Sequence, residues 1–265
     1  MTFEQQLIAD YLRLESIDAV FKEKKFSLPI SFAGLARILR KNNIVTTAGP
    51  NSHLSESLYF FSLLKDYGGS VAKLQNKLGI SVSTKTLHRV LHNIRFGITR
   101  RFGAALLMED KNSPGFYLTA QDQTLKGKLG EKGDWSLPMT HTREQDSHYT
   151  SILRVLQREV FLEQTIENRF PTEIMQQNLS PAFSIDITDI KVNVYHIKLD
   201  MSRYMFSSFK LSNYQILDGT TINSLKCRPG VKDIIQGLEL GTNQAQVSSK
   251  LNSELLFLPV RGKIS

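Results

Sequence analysis

The stretch "GDWSLPMTHTREQDSHYTSILRVLQREVFLEQTI", residues 133–166, constrains this chain most, because it predicts a helix whose apolar face carries two carboxylates. Stepping 100° per residue from Ile152 places Val155, Ile166, Leu156, Val160 and Leu153 on one apolar arc, with Glu159 and Glu163 near its centre. A carboxylate in such a position needs a partner. Taking an unpaired charge out of water costs several kcal/mol, so acids there are held by arginine, hydrogen bonds or metal, or they face a cleft. The alternative is a half-buried helix whose acids are solvated or ion-paired.

The surrounding residues resemble the Nudix box, whose core reads Arg-Glu-aliphatic-any-Glu-Glu-any-Gly-aliphatic. The string "REVFLEQTI" supplies Arg158, Glu159, Val160, Glu163 and Ile166 in register, and "GDWSLPMTH" resembles the Trp-aliphatic-Pro strand that leads into the box. Departures are equally plain. Leu162 stands where the family has the first glutamate of its pair, Thr165 replaces a glycine, and Met139 and Thr140 replace a Gly-Gly. The loop into the helix is also longer, leaving Asp146 or Glu144 as stand-ins for an earlier glutamate. The resemblance implies that Glu159 and Glu163 bind Mg²⁺ against a diphosphate, with Glu159 catalytic and Arg158 supporting the box; Mg²⁺ suits oxygen ligands of this kind. The departures imply loss of catalysis with retention of a nucleotide pocket, and Leu162→Glu is expected to raise any residual activity.

The second half has the order of strands and helices that the resemblance implies. "RRFGAALLMED" reads as a first strand and "GFYLTAQD" as its partner across a Lys-Asn-Ser-Pro-Gly turn, followed by the Trp135 strand and the long helix. "AFSIDITDIKVNVYHIKLD" alternates over two strand lengths, and "RPGVKDIIQGLELG" reads as a closing helix with Pro at its start and Gly at its end. The expected fold class is α+β: an all-helical N-terminal helix-turn-helix module over residues 1–97, then a Nudix-like α/β/α sandwich over 98–241, then a polar tail over 242–265. That tail carries a short apolar segment that can dock back as a strand or meet a partner.

Charge divides the chain near the same place. Residues 1–101 hold 15 Lys+Arg against 7 Asp+Glu, whereas the remainder holds 18 of each. A basic module beside a neutral one points to a polyanion, because Lys and Arg release counterions from phosphates; the alternative is a basic surface that serves solubility. Within the basic part, "GGSVAKLQNKLGISVSTKTLHRVLHNIRFG" has helix-turn-helix grammar. Ser70 caps a helix to about Leu78, Gly79 permits the turn, and Ser81 or Ser83 caps a second helix to about Arg95. Leu74, Leu78, Ile80, Leu87, Leu91 and Ile94 form the apolar seam, which leaves Thr84, Lys85, His88, Arg89 and His92 outward. Ser83, Thr84, Lys85, His88 and Arg89, with Arg100 and Arg101 behind them, are the candidate DNA contacts. Upstream, "LPISFAGLARILRKNNIV" and "TTAGPNSHLSESLYFFSLLKD" resemble a further winged-helix-like element, with Ser31 as cap and Arg37, Arg40 and Lys41 on its polar side.

Other chemistry is bounded quickly. One cysteine, Cys227, rules out an internal disulfide and a zinc finger and makes a reducing compartment the default. The opening residues do not read as a secretory signal and no run is long enough to span a membrane, so a cytoplasmic location is expected, nucleoid-associated in a bacterium. His88 and His92 have the helical spacing of a zinc pair but no acidic or cysteine companion, and "KGKLGEKGD" lacks the frame of a phosphate loop.

Three functions remain in view. The favoured one is a homodimeric DNA-binding transcriptional regulator whose degenerate Nudix-like domain senses a nucleotide or nucleotide-sugar, resembling known helix-turn-helix/Nudix repressors with the domain order reversed. The second is a Mg²⁺-dependent pyrophosphatase acting on a nucleoside diphosphate derivative or RNA. The third is a structural Nudix-like subunit of a ribonucleoprotein.

Overall fold

Strand β1 (Arg101–Asp110) is the axis of the molecule. The structure, a computed structural model, describes residues 1–46, 83–124, 131–176, 180–241 and 246–256. The first helix of the expected helix-turn-helix, with its Ser70 cap and Gly79 turn, lies outside the described residues, as do the Ser81 alternative and nearly all of "TTAGPNSHLSESLYFFSLLKD" in the expected winged-helix-like element.

One mixed sheet runs from β3 (Trp135–Ser136) through β2 (Phe116–Asp122), β1, β6 (Ile190–Leu199) and β5 (Phe183–Ile187) to β8 (Gln246–Ser248), with β4 (Met139–Thr142) also paired to β1 and β7 (Leu211–Asp218) to β2. Strand β1 pairs in parallel with β6 (Ile190–Leu199) over its whole length, from Arg101 opposite Ile190 to Asp110 opposite Leu199. Its other edge is antiparallel, to β4 (Met139–Thr142) at the start and β2 (Phe116–Asp122) at the end. Strand β3 (Trp135–Ser136) and strand β7 (Leu211–Asp218) both flank β2. Strand β5 (Phe183–Ile187) forms the expected hairpin with β6, and β8 (Gln246–Ser248) adds in parallel outside it. Residues Gln246–Ser248 of the expected tail therefore add a strand to the sheet.

The pleat of β1 sorts its apolar residues into two cores. Ala105 and Leu107 face one layer with Ile234 and Ile235, whereas Ala104, Leu106 and Met108 face the other with Ile152, Val155 and Leu156. Both faces are thus covered by helices, which is why β1 reads as a near-continuous apolar run rather than an alternating one. The α+β layering expected from the strand order is the one that forms.

N-terminal helices α1 (Phe3–Leu14), α2 (Ile17–Glu23) and α3 (Phe32–Lys41) are capped by Thr2, Ser16 and Ser31. Their shared core of Leu7, Ile8, Leu12, Val20, Phe21, Leu35 and Leu39 also includes Leu162 and Ile166, so these helices pack directly on the second half of the chain. Helix α4 (Thr84–Arg95) starts at Ser83, whose Oγ accepts from Thr86 N at 3.2 Å, and buries Leu87, Val90, Leu91 and Ile94.

Helix α5 (His148–Glu159) is capped by Ser147, and Arg154, 1% exposed, reaches from it to Asp146 and to the Thr46 carbonyl at 3.1 Å. Gln157 accepts from Val45 N at 3.0 Å and donates to the Asn43 carbonyl at 2.8 Å, clamping the segment after α3 to this helix. The continuous helix expected through Glu163 is interrupted. Val160 leaves helical geometry at φ −136°, Phe161 is fully buried, and a five-residue helix α6 (Leu162–Ile166) restarts beyond. Ser207 makes the break: its N donates to Val160 O at 2.8 Å, its O accepts from Leu162 N at 3.2 Å, and its Oγ accepts from Glu163 N at 2.9 Å. Burying the Phe161 ring contributes roughly 3 kcal/mol, more than the broken helical hydrogen bonds cost once Ser207 replaces them.

Short helix α7 (Gly219–Ser224) follows β7, and α8 (Val231–Glu239) closes the layer opposite α5; Pro229 lies just before its start as expected, and the chain enters it through Gly230 at φ 90°. Gly237 in α8 lets the helix approach the sheet, since a Cβ there would sit 2.9 Å from the Phe183 ring. Helix α9 (Lys250–Leu256) packs on α4, and its Asn252 donates to the Thr188 carbonyl at 3.0 Å.

Candidate ligand-binding site

A cavity of about 310 Å³ opens where the last turn of α5, the start of β1, strand β4 and the end of α1 meet. Its floor is Gly103 and Ala104 of β1 with Ile190 and Val192 of β6; its walls are Met139, Thr140 and His141 of β4. Helix α1 contributes Arg13, Leu14 and Glu15, and loops add Thr124, Lys210 and Arg228. Glu159 lies among them at 2% exposure, where burial pushes its carboxyl up from the ordinary range, opposed by the charges of Lys210 and Arg158.

Glu159 is held from several sides. Ser208 Oγ donates to Glu159 Oε2 at 3.3 Å, Lys210 Nζ lies 3.8 Å from Oε1, and the Tyr214 hydroxyl donates to its backbone carbonyl at 2.8 Å. Ser208 Oγ itself accepts from the backbone N–H of Lys210 at 3.0 Å and of Leu211 at 3.3 Å, fixing the loop that carries the lysine. Lys210 Nζ also ion-pairs with Glu15, and the same carboxylate receives the guanidinium of Arg158. Arg158 Nη1 further donates to Thr140 Oγ1 at 3.3 Å. Arg228, 11% exposed in its side chain, pairs with Asp122 at 3.0 Å. Burial, with Arg101 and Lys210 nearby, drops the His141 imidazole to about 4, so it is neutral at pH 7.

The box residues therefore separate. Glu159 lines the cavity and Arg158 braces two of its lining residues, Glu15 and Thr140, whereas Glu163 is exposed on α6 and Leu162 is buried among the N-terminal helices. Asp146 is engaged by Arg154 at the start of α5, and Glu144 is exposed. A magnesium ion prefers a near-octahedral shell of oxygens, often from one or two carboxylates and several waters. Glu159 is here coupled to a lysine ammonium and Glu15 is bound by two cations, and among the described residues no three His, Cys, Asp or Glu converge as a metal site. This donor set does not fit Mg²⁺. Glu15, Lys210, Ser208, Arg228 and His141 were not among the residues singled out from the sequence; a serine-lysine loop and an arginine before Pro-Gly carry no local pattern of a pocket.

The basic face lies on α4. Ser83, Lys85 and Arg89 are exposed, as is His92, while Thr84 and His88 are half-buried on the same helix. Arg100 is exposed just before β1. Arg101 is different: it pairs with buried Asp189 at 2.7 Å and belongs to the β1–β6 junction. Among the described residues no helix is long and apolar enough to cross a membrane.

No family model matches the chain, and no curated protein matches it. Similar solved structures include a MutT protein from Methanosarcina mazei Go1, 13% identical with a TM-score of 0.39, covering 56% of this chain and 98% of that one. A NUDIX hydrolase from Nitrosomonas europaea is 11% identical with a TM-score of 0.40, covering 57% and 78%. The NUDIX domain of Shewanella oneidensis NrtR, complexed with ADP ribose, is 10% identical with a TM-score of 0.38, covering 54% and 88%.

Proposed function

We propose that the chain is a nucleotide-responsive DNA-binding regulator, with a diphosphate-bearing nucleotide or nucleotide-sugar held in the cavity beside Glu159 and DNA held by α4. The observation that carries the ligand half is the presence of Lys210 and Arg228 on one cavity wall, with Arg158 behind it on Glu15, beside a carboxyl that burial biases toward its neutral form. Such a lining favours an anion, and guanidinium and ammonium groups are the usual receptors of phosphate oxygens. The DNA half is supported by the Ser83-capped helix with Lys85, Arg89 and His92 on its outer side.

Calorimetric titration of the full chain with ADP and ADP-ribose, followed by gel shifts with and without the nucleotide that binds, tests both halves. Binding without turnover, together with a nucleotide-dependent shift, supports the regulator. One observation favours hydrolysis instead: Glu159 is a desolvated carboxyl at a cavity wall, a situation that suits a general base. Release of phosphate or mononucleotide in the same samples would select that reading.

A further inference from the structure

We propose that Lys210 is a built-in cation of this cavity, so that a diphosphate is captured by protein ammonium and guanidinium groups without a divalent metal. This rests on the ligand reading above and concerns how that ligand is held. Lys210 Nζ stands between two carboxylates from distant parts of the chain, paired with Glu15 and 3.8 Å from Glu159 Oε1. An ammonium has three donors, and these two acids account for at most two of them.

The positions around it agree. Leu162, where the resemblance would place a further ligand, is committed to the apolar core of α1–α3, and Glu163 is in solvent on a different helix. A divalent ion brought to Glu159 would meet the Lys210 ammonium at close range and be repelled. The backbone that carries the lysine is anchored at Glu159, because Ser208 Oγ accepts from the Lys210 backbone N–H at 3.0 Å while donating to Glu159 Oε2. Arg158 and Lys210 share the single carboxylate of Glu15, and Arg228 lines the same cavity as Lys210.

The test is titration of the full chain with ADP and with inorganic pyrophosphate, in EDTA and in Mg²⁺. Equal affinity under both conditions is expected, and in EDTA Lys210→Met is expected to lose about tenfold or more, the scale of a charge-assisted hydrogen bond. Lys210→Arg, which keeps the charge, should retain most of the affinity, and matched melting curves establish that each variant is folded. Binding that requires Mg²⁺ overturns the built-in cation while leaving the ligand reading intact. Absence of binding under either condition overturns both, and metal-free binding unchanged in a folded Lys210→Met overturns the role of this lysine alone.

Discussion

Glu15 ends α1 in the left-handed region, at φ 61°, and there receives the guanidinium of Arg158 from the last turn of α5. A non-glycine residue held in that conformation carries about 1 kcal/mol of strain, so the surroundings must fix it. The pair joins the N-terminal helices to the cavity wall. It also brings two cations, Arg158 and Lys210, onto one carboxylate.

Glu15→Gln should therefore have two opposite effects. Arg158, 5% exposed in its side chain, loses its charge partner, and because Glu15 is itself 30% exposed the loss is about 1–2 kcal/mol of stability rather than the larger penalty of a fully buried pair. Affinity for ADP or pyrophosphate should rise, since the competing carboxylate is gone. Urea denaturation and titration of the same variant measure the two. A variant that is weakened in both would show that Glu15 shapes the cavity instead of competing for it.

Leu162→Glu separates packing from chemistry. The residue is 4% exposed in the core shared by Leu7, Leu12, Val20 and Leu39, so a carboxylate there is buried without a partner. The earlier expectation that this change restores activity gives way, because the break at Val160 and Phe161 turns the position away from Glu159. A loss of about 3 kcal/mol or more is expected, with early proteolytic cleavage near residues 1–46 and no gain in Mg²⁺-dependent turnover.

Much of the fold was legible because its signals are local. The strand of Arg101–Asp110, the two strands of Phe183–Leu199 and the proline at the start of α8 each announce themselves locally. The helical wheel carried Glu163 to the buried face because a wheel assumes an unbroken helix, whereas Ser207, distant in sequence, supplies the hydrogen bonds that permit the break. Arg158 and Glu159 were legible as a pair, but their partners Glu15 and Lys210 come from opposite ends of the fold. Arg101 was assigned to DNA by its charge alone, and only the sheet brings Asp189 to it.

His141 should make the protein acid-sensitive. Its folded-state value of about 4 lies below the ordinary imidazole value near 6.5, so the unfolded chain binds the proton first as pH falls. The stability that depends on neutral His141 is fully present above about pH 6.5 and is lost progressively as pH drops through about 4. His141→Gln should flatten the stability profile across that window while leaving the value at pH 7 nearly unchanged. Urea midpoints at pH 7, 5.5 and 4 decide it; parallel profiles for wild type and variant would remove His141 from the account.

The outer face of α4 gives the last prediction. Arg89→Ala should cost about 1–3 kcal/mol of sequence-specific DNA affinity if this helix enters the major groove, because a bidentate guanidinium reading a base edge has that worth. Arg100→Ala should weaken every duplex alike and flatten the salt dependence, as expected of a phosphate contact. Arg101→Ala should behave differently from both, lowering thermal stability because it strands Asp189, which is 3% exposed. Paired half-sites one helical turn apart call for a homodimer, so light scattering of the DNA complex should report two chains per duplex. Gel shifts at two salt concentrations separate the three substitutions, and equal binding of wild type and Arg89→Ala to every duplex would remove DNA reading from α4 and leave its basic face as a solubilising surface.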